Sequence, residues 1–414
     1  MSEKKLTAVS LFSGAGGMDL GIKKAGFEIV WANDFNEDAV KTYKKNIGDH
    51  IIHGDISQIS SENIKIEDSL DLVIGGFPCQ GFSIANKNRS MKDERNFLYK
   101  EMLRIIRDKR PKFFIAENVK GLLSMENGLV IKMIIQDFEN LGYKVDYRLL
   151  NSANYGVPQS RERVIIIGNR MGLENPFPKP THEQKDKDLG CNNVNLLPYV
   201  TVEESIGFLS TAPLQNNLLE QYYEWNGRKI YNHIANENVG KTFFGRKFKV
   251  NQNDICDYLK FWRDKRGLTT KKIDDYFGYK HTAGHWFRKD NGSGSIPKPS
   301  DWWKLKELLQ FDDKYDEIVT TYVEKPIKFE QSLRITNWDR PSDTITATSP
   351  EIHINKNRRL SVRECAILQS FPDDFVFVGS LNSMYRQVGN AVPVKLAYSI
   401  AKEIYSILVK NGEK

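Results

Sequence analysis

The feature that most constrains this chain is an alternation of strand-like and helix-like segments over its first 180 residues. Short apolar runs typical of strands occur at 7–11, 28–32, 51–52, 72–74, 112–116, 143–150 and 164–168. Amphipathic segments typical of helices occur between them, at 18–25, 39–46, 96–109 and 129–141. Strands that alternate with helices favour a mostly parallel, doubly wound sheet, so we predict an α/β protein.

The chain is long for one hydrophobic core, because typical domains hold roughly 100 to 200 residues and this chain has 414. We therefore expect two domains. The four cysteines lie far apart with no CxxC pair, which argues against a disulfide framework and against a metal site built on cysteine. We expect a soluble, cytoplasmic protein without membrane contact, since no signal peptide and no apolar stretch of about 20 residues occurs.

The net charge of +7 is concentrated in one window, from Lys241 to Lys289. This window holds 13 Lys and Arg residues against five Asp residues, together with eleven aromatic residues. Cationic and aromatic side chains in one segment suit a polyanion with planar bases, although part of these aromatics could belong to a core. The window is therefore predicted to contact nucleic acid.

A glycine-rich segment, FSGAGGMDLG at 12–21, lies between the first strand and the first helix, where a ligand can approach backbone amides. The dinucleotide fingerprint needs a third glycine where this chain has Asp19, so a pyrophosphate site is disfavoured. Asp34, twenty residues after Gly14, has the position of an acid that bonds a ribose hydroxyl, and Asp55 follows the third strand. The pattern suits S-adenosylmethionine rather than NAD; a tight turn without a ligand is the alternative.

Three further segments place reactive or charged groups where predicted strands begin or end. Cys79 lies in GGFPCQGFS, just past the strand at 72–74, at the edge of the sheet where open α/β folds bind ligands. Glu117 follows the next strand, and Arg161 and Arg163 precede the last one. Each could be a buried or solvated residue without a function. Together they supply a nucleophile, an acid and anion-binding groups around one adenosine-type cofactor.

Six motifs resemble those of the DNA (cytosine-5) methyltransferases of bacterial restriction-modification systems, in that family's usual order. They are FSGAGG, GGFPCQGFS, ENV, YGVPQSRER, SVRECAILQSFPDDF and YRQVGNAVP. The resemblance implies a Rossmann-like, S-adenosylmethionine-dependent methyltransferase domain with a smaller inserted target-recognition domain. We expect the catalytic domain at 1–180 and 336–414, with target recognition at 181–335.

The resemblance also implies a reaction, the transfer of a methyl group from S-adenosylmethionine to C5 of a cytosine in double-stranded DNA. Because C5 is a poor nucleophile, the Cys79 thiolate would first add to C6, while Glu117 would assist at N3. Arg161 and Arg163 would orient the base, Glu117 or the adjacent phosphate. The target base would have to flip out of the duplex to be reached.

By the same resemblance, Phe12 stacks on the adenine, Asp34 bonds the ribose and Asp55 accepts from the adenine amino group. The ribose acid is often Glu in this family, and Asp34 is one methylene shorter, which could shift the contact or place a water in it. The remaining cofactor residues are Gly14, Gly16, Pro78, Leu98 and Asn390, and Ser83 is predicted to contact DNA.

A helix-turn-helix is predicted at 268–288, inside the basic window. Thr269 or Thr270 could cap a first helix, and Gly278 would make the turn to a second helix at 282–288. The second helix of this motif reads the major groove, whereas a helical pair without DNA contact is the alternative.

Within this segment the basic and polar residues divide into two predicted classes. Lys271 and Lys272, at the start of the first helix, are predicted to contact phosphates. Lys280, His281 and Thr282 are predicted to contact base edges. The two classes differ because phosphate contacts carry no sequence information, whereas base contacts do.

At the other end of the catalytic domain, Leu396, Ile400, Ile404 and Leu408 recur at i, i+4 spacing after Pro393. They predict a C-terminal helix that packs beside the first motif and closes the domain. A dimer seam is the alternative, and we expect a monomer.

Three other functions share part of this pattern. A tRNA cytosine-5 methyltransferase has the same catalytic motifs, but a basic insertion of about 155 residues suits duplex DNA better. An NAD-dependent dehydrogenase would need the third glycine that this chain lacks, and it leaves the PCQ and ENV segments unexplained. A binding protein derived from an enzyme is disfavoured because Cys79, Glu117 and both arginines are present. The expected partners are double-stranded DNA and a restriction endonuclease that acts separately.

Overall fold

The structure is a computed structural model that describes residues 5–66, 69–78, 98–184, 195–215, 222–236, 252–278, 286–287, 296–323, 334–348, 350–355 and 358–412. Five predicted site residues lie outside these ranges: Cys79, Ser83, Lys280, His281 and Thr282. Within the described ranges, no helix is long and apolar enough to cross a membrane.

A seven-stranded sheet forms the centre of the larger part of the chain. Its strands are β1 (Thr7–Leu11), β2 (Glu28–Asp34), β3 (Ile51–His53), β4 (Leu72–Gly75), β5 (Phe113–Val119), β6 (Lys144–Asn151) and β7 (Glu162–Asn169). The order across the sheet is β3-β2-β1-β4-β5-β7-β6. The first five strands are parallel, and β7 runs antiparallel to both of its neighbours. The predicted mostly parallel α/β sheet is thus confirmed.

Helices cover both faces of this sheet. They are α1 (Gly17–Lys24), α2 (Glu37–Asn46), α3 (Leu98–Lys109) and α4 (Leu129–Glu139). Alternate strand residues face opposite ways, since Val73 packs in a cluster with Met102 of α3 while Ile74 packs in another cluster with Ile22 of α1. The two faces are therefore two separate apolar layers with the sheet between them.

The C-terminal part of the chain returns to this core through α10 (Val362–Leu368), α11 (Leu381–Asn390) and α12 (Val394–Gly412). Helix α12 lies so close to α1 that a Cβ atom on Gly21 would lie 2.6 Å from the Ala397 Cβ. Its apolar stripe, Leu396, Ile400, Ile404 and Leu408, is buried as predicted. The last helix thus closes the layer that contains the glycine-rich turn.

The chain divides into two compact units, which differ in extent from the predicted domains. Unit 1 comprises Met1–Ala235, Thr336–Ile354 and Leu360–Lys414, and unit 2 comprises Asn236–Ile335 and Asn355–Arg359. Residues 195–235, expected in the recognition domain, belong to unit 1. Val202 and Ile206 of α5 (Val202–Ile206) are buried in its core, and the Arg363 Nε donates to the Tyr231 carbonyl at 2.7 Å.

Two pairs of short strands lie in unit 1 between the seven-stranded sheet and the end of the first segment at Ala235. They are β8 (His182–Glu183) paired with β9 (Leu197–Pro198), and β10 (Tyr222–Trp225) paired with β11 (Arg228–Tyr231). Unit 1 also contains 3-10 helices at Ile56–Gln58, Ser61–Asn63, Lys120–Gly128, Ser152–Tyr155 and Gly207–Leu209.

Unit 2 is helical in its described part, with α6 (Gln252–Lys265), α7 (Thr270–Phe277), α8 (Pro299–Leu309) and α9 (Asp316–Val323). Thr269 caps α7 by accepting from the Lys272 amide, and Gly278 ends it at a φ of 70°, both as predicted. Ile273 and Phe277 pack in the core of the unit, with Trp302 of α8. The predicted second helix at 282–288 lies outside the described residues except for Trp286 and Phe287, which are buried.

Candidate active site

A cavity of about 440 Å³ opens in unit 1 at the carboxyl ends of β1, β2, β4 and β5. Its wall is completed by residues at the start of β7 and at the end of α11. Open α/β sheets bind ligands at this edge, because the loops that leave neighbouring strands diverge there. Predicted site residues on this wall are Phe12, Gly14, Asp34, Pro78, Glu117, Arg161, Arg163 and Asn390.

The glycine-rich turn after β1 is held by Asp34. The Gly14 amide donates to the Asp34 Oδ2 at 2.7 Å, and the Asn36 amide donates to its Oδ1 at 2.8 Å. Phe12 and Gly14 each have a φ of 55°, a left-handed conformation in which a bulky residue such as Phe12 is unusual. Burial raises the pKa of Asp34, opposed by these two backbone donors. The acid predicted to bond a ribose therefore also fixes the turn beside it.

Gly16 is not among the described residues of the cavity wall, so its predicted cofactor contact stays a prediction. A Cβ atom on Gly16 would lie 2.1 Å from the Ile47 Cδ1 and 3.0 Å from the Tyr43 ring. Its φ of 90° is also unfavourable for other residues. This glycine thus permits the close packing of α1 against the end of α2.

Glu117 and Arg163 form an ion pair in the wall of the cavity. They lie near the ends of the neighbouring strands β5 and β7, and the Arg163 Nε is 2.8 Å from the Glu117 Oε1. Each side chain is 11% exposed. Burial lowers the pKa of Arg163, and the carboxylate of Glu117 opposes that shift. The pair thus holds a carboxylate in a fixed orientation with one face toward the cavity.

Gly76, just after β4, leaves the space that this carboxylate occupies. A Cβ atom at position 76 would lie 2.9 Å from the Glu117 Oε2, closer than normal contact. Asn118 supports the same turn, since its Nδ2 donates to the Phe77 carbonyl at 3.1 Å. Asn118, the neighbour of Glu117, thus holds the turn that follows β4.

Arg161 is almost completely buried, at 1% exposure, although it also borders the cavity. Its Nη1 donates to the Ile345 carbonyl at 3.0 Å, and its Nη2 donates to the Gly389 carbonyl at 2.9 Å. Its Nε has no hydrogen-bond partner among the described residues. Burial lowers the pKa of Arg161 well below its ordinary value. The contacts made by this residue position Gly389, next to Asn390, and its predicted contact with the base or phosphate stays a prediction.

Besides Gly16, two further predicted cofactor residues are absent from the described cavity wall. Asp55 is exposed and caps the 3-10 helix at Ile56–Gln58, where its Oδ1 accepts from the Ser57 amide at 2.9 Å. Leu98 begins α3 and packs partly buried against the apolar layer on that face of the sheet. Their contacts with a cofactor stay predictions that the described wall of the cavity does not support.

Several residues of the cavity wall were not predicted as site residues. Phe35 follows Asp34 and is 75% exposed, an unusual position for a large apolar side chain. The sequence marks Asp19 only as a departure from the dinucleotide fingerprint, whereas the structure places this residue at the cavity wall. Arg386 and Gln387 come from α11, and the motif YRQVGNAVP was the available signal for them.

A doubly wound sheet with an acid-clamped glycine turn and a carboxylate–guanidinium pair in one cavity is typical of an α/β enzyme. A family model described as C-5 cytosine-specific DNA methylase matches residues 6–406. The chain belongs to this family and is an enzyme that methylates cytosine in DNA.

Similarity to individual methyltransferases supports this family assignment over nearly the whole chain. The chain is 34% identical to the Type II methyltransferase M.NgoFVII of Neisseria gonorrhoeae, over 100% of this chain and 90% of the relative. It is 33% identical to M.FnuDI of Fusobacterium nucleatum, over 97% and 94%.

Solved structures confirm the fold. A putative DNA modification methyltransferase encoded within an Escherichia coli prophage has a TM-score of 0.58 at 21% identity, covering 98% of this chain and 99% of that chain. The S. pombe Dnmt2 methyltransferase has a TM-score of 0.52 at 16% identity, covering 99% of both chains. The Rossmann-like methyltransferase fold that the motifs implied is therefore shown.

Proposed function

We propose that this enzyme transfers a methyl group from S-adenosylmethionine to C5 of a cytosine flipped out of a specific double-stranded DNA sequence. The observation that carries the proposal is that the Asp34–Gly14 clamp and the Glu117–Arg163 pair line one cavity. The Asp34–Gly14 clamp suits the ribose of a nucleoside, and the Glu117–Arg163 pair suits the polar edge of a pyrimidine. A methyl donor and its acceptor base can therefore meet in one place.

The residues present fit S-adenosylmethionine. A cavity of about 440 Å³ is within the size range of small-molecule sites. Both Asp34 oxygens accept from backbone amides, and each keeps a further lone pair for a ribose hydroxyl. Phe12, Pro78 and Asn390 complete the wall around the nucleoside, and the bound cofactor would supply the methyl group.

Activation of the base is assigned to Cys79 and Glu117. The Cys79 thiolate would form a bond to C6, and the displaced electron pair makes C5 nucleophilic. Glu117, oriented by Arg163, would act in its protonated form and donate a hydrogen bond to N3 as negative charge develops on the ring. After methylation, loss of the C5 proton to a base would return the electrons, break the C6–S bond and release the thiolate.

The position of Cys79 is supported by its neighbour in sequence. Pro78, which directly precedes Cys79 in the sequence, lines the same cavity as Glu117. A base inside a duplex cannot reach such a cavity, so the target cytosine must leave the helix.

Target recognition is assigned to unit 2. Lys271 and Lys272 are exposed on α7, and α6 presents Phe261 at 60% exposure. Exposed cations and an exposed aromatic side chain in one unit suit DNA better than an apolar partner. The names of the relatives favour a Type II restriction-modification setting, in which an endonuclease acts separately on the same sequence.

Trapping with a modified substrate tests the covalent step. DNA with 5-fluorocytosine at the target position should form a denaturant-resistant adduct with the enzyme and S-adenosylmethionine, because fluorine cannot leave as a proton does. Cys79→Ser should fold and bind DNA but form no adduct. Methylation without adduct formation by the unchanged protein would refute the covalent mechanism.

The same assay separates DNA from RNA as the substrate. Labelled methyl groups should enter duplex DNA and not tRNA, whereas preferential labelling of tRNA would favour the alternative function.

Exchange of unit 2 tests its role in recognition. A chimera that replaces Asn236–Ile335 with the matching segment of a relative should methylate that relative's sequence. A chimera that replaces 181–335 should unfold more easily, because it also removes Val202 and Ile206 from the core of unit 1. An active chimera that keeps its original target sequence would show that recognition lies elsewhere.

A further inference from the structure

Arg161 is a buried arginine of the active-site cavity whose side chain is bonded to the backbone of two distant segments. It is 1% exposed and directly precedes β7. Its Nη1 donates to the Ile345 carbonyl, and its Nη2 donates to the Gly389 carbonyl. Among the described residues Arg161 forms no ion pair, and Glu117 of the same cavity is bonded to Arg163 instead. The guanidinium of Arg161 therefore acts on the backbone rather than on a carboxylate.

The carbonyl of Gly389 belongs to the last turn of α11, which ends at Asn390. The last four carbonyls of a helix have no partner within it and carry the partial negative charge of the helix dipole. A guanidinium at this end satisfies one of these carbonyls, and the dipole offsets part of the cost of burying the positive charge. Arg161 thus caps α11 from a position 228 residues earlier in the chain.

The second segment held by this guanidinium lies directly against the same helix end. A Cβ atom on Gly389 would lie 2.5 Å from the Thr346 carbonyl oxygen and 2.5 Å from the Ala347 nitrogen, so a larger residue would push the two segments apart. Gln159, which is fully buried, holds the second segment from another direction, because its Oε1 accepts from the Ile345 amide at 3.0 Å. The end of α11 is therefore fixed by packing and by side-chain hydrogen bonds together.

Asn390, the next residue, is exposed on the cavity wall. Its side chain forms no hydrogen bond with any of the described residues, so its amide is available to a ligand. The chain leaves the helix immediately afterwards, since Ala391 is extended with a ψ of 147°. The position of the Asn390 amide in the cavity thus depends on where the preceding turn of α11 is held.

We propose that Arg161 is a positioning residue for the methyl donor, which it serves by holding the end of α11 so that Asn390 lies at the cofactor. This inference rests on the proposed function, since it takes S-adenosylmethionine as the ligand. It differs from the contact with the base or phosphate that the family resemblance implied, because both Nη atoms already donate to carbonyls. Arg163, two residues later, keeps the role toward the base through Glu117. The two arginines of one motif thus serve the two substrates of the reaction.

Arg363 provides a matched case of a buried arginine with a structural role. It is also 1% exposed, and its guanidinium donates to three backbone carbonyls, those of Tyr231, Pro372 and Phe375. It does not belong to the described cavity wall. Replacement of Arg363 should therefore affect stability without affecting the cofactor.

The first test measures binding of S-adenosylhomocysteine and methylation kinetics with Arg161→Lys. Lysine keeps the charge, but its single nitrogen does not replace a planar guanidinium that spans two carbonyls. The Kd of S-adenosylhomocysteine and the KM of S-adenosylmethionine should rise about tenfold, the effect of one hydrogen bond to a charged group. The kcat at saturating cofactor and the Kd of DNA should stay within about threefold of the original values. Arg363→Lys is the control and should leave the Kd of S-adenosylhomocysteine unchanged.

A double-mutant cycle with Asn390→Ala separates positioning from general damage to the fold. Asn390→Ala removes the side chain through which Arg161 is proposed to act. Addition of Arg161→Lys to this variant should therefore raise the Kd of S-adenosylhomocysteine by less than about twofold. An equal loss of affinity in both backgrounds would mean that Arg161 acts independently of Asn390, and the proposal would be wrong.

A third measurement uses the unchanged protein and does not depend on whether a variant folds. If the end of α11 is coupled to the cofactor, S-adenosylhomocysteine should slow hydrogen exchange of the amides at 345–347, which lie outside the described cavity wall. The amides of α7 in unit 2 are the reference and should exchange as before. Exchange at 345–347 that is the same with and without the ligand would overturn the proposal.

The outcomes distinguish this inference from the proposed function on which it rests. If S-adenosylhomocysteine does not bind the unchanged protein, the proposed cofactor is wrong. If it binds, and Arg161→Lys loses DNA affinity or kcat while the Kd of S-adenosylhomocysteine stays the same, the cofactor assignment stands. Arg161 then contacts the base or the phosphate, and its role in positioning Asn390 is refuted.

Discussion

The Arg163 Nε lies 2.8 Å from the Glu117 Oε1, and the two residues come from neighbouring antiparallel strands. Because both side chains are 11% exposed, their attraction is screened less than that of a surface pair. The guanidinium fixes the carboxylate where a base entering the cavity would meet it. A change in this geometry should therefore lower the rate of methyl transfer more than it lowers the free energy of unfolding.

Replacement of Glu117 by Gln should separate catalysis from binding. The amide keeps the shape of the side chain but cannot act as an acid, so we expect kcat to fall by about 10²- to 10⁴-fold. Affinity for S-adenosylhomocysteine should change little, since Asp34 and the glycine-rich turn are intact. Single-turnover methylation and calorimetry measure the two quantities. A kcat within threefold of the original would exclude a proton-transfer role for this residue.

Gly76→Ala should impair the same step by displacing the Glu117 carboxylate. The new methyl group would lie 2.9 Å from the Glu117 Oε2, so the carboxylate would have to shift. We expect a lower kcat with a free energy of unfolding within about 1 kcal/mol of the original protein. Gly207→Ala is the control, because its Cβ would have ordinary contacts at 3.5 Å, outside the cavity wall. Equal activity of the two variants would contradict the prediction.

Asp19→Asn should stabilise the cofactor-free protein, and more so at high pH. Burial raises the pKa of Asp19 to about 6, so the folded protein holds this proton where the unfolded chain has already lost it. The free energy of unfolding of the original protein therefore falls as pH rises from about 4 to 6, and the loss is complete above that range. The advantage of the variant should grow by about 1 kcal/mol between pH 5 and pH 8.

Urea unfolding of both proteins at the two pH values checks this prediction. Asp49→Asn serves as the control for a general loss of negative charge. An advantage of Asp19→Asn that is the same at pH 5 and pH 8 would show that the carboxylate does not titrate in this range.

Loss of Lys271 and Lys272 should weaken DNA binding without changing the methylated sequence. Each phosphate contact adds about 0.9 to the slope of log K against log salt, so replacing both with Ala should reduce the slope by about 2. Binding titrations at several salt concentrations measure the slope, and sequencing of methylated DNA reports the target. Replacement of Lys44 and Lys45, exposed in the last turn of α2, removes the same charge from unit 1 and should leave the slope unchanged.

The local features of the catalytic unit were predictable because they depend on nearby residues. The alternation of apolar runs predicted each strand of the sheet within a few residues, as at Thr7–Leu11, and Thr269 and Gly278 marked the ends of α7. The glycine-rich turn and the acid twenty residues later were equally visible. The hydrogen bond between Gly14 and Asp34 joins the turn after β1 to the end of β2. Because β1 and β2 are neighbours in the sheet, these two residues come together as the sequence spacing predicts.

The sequence by itself thus determined the sheet, the family motifs and the chemical groups available for methyl transfer. The tertiary structure alone decided which of these groups share a cavity. It joined Arg161 to Gly389, which are 228 residues apart, turned Asp55 to cap a surface helix, and placed Asp19 in the wall of the site. It also packed Val202 and Ile206 into unit 1. The reason is physical: a local pattern constrains backbone conformation, whereas side-chain direction and burial depend on contacts between distant segments that appear only once the chain has folded.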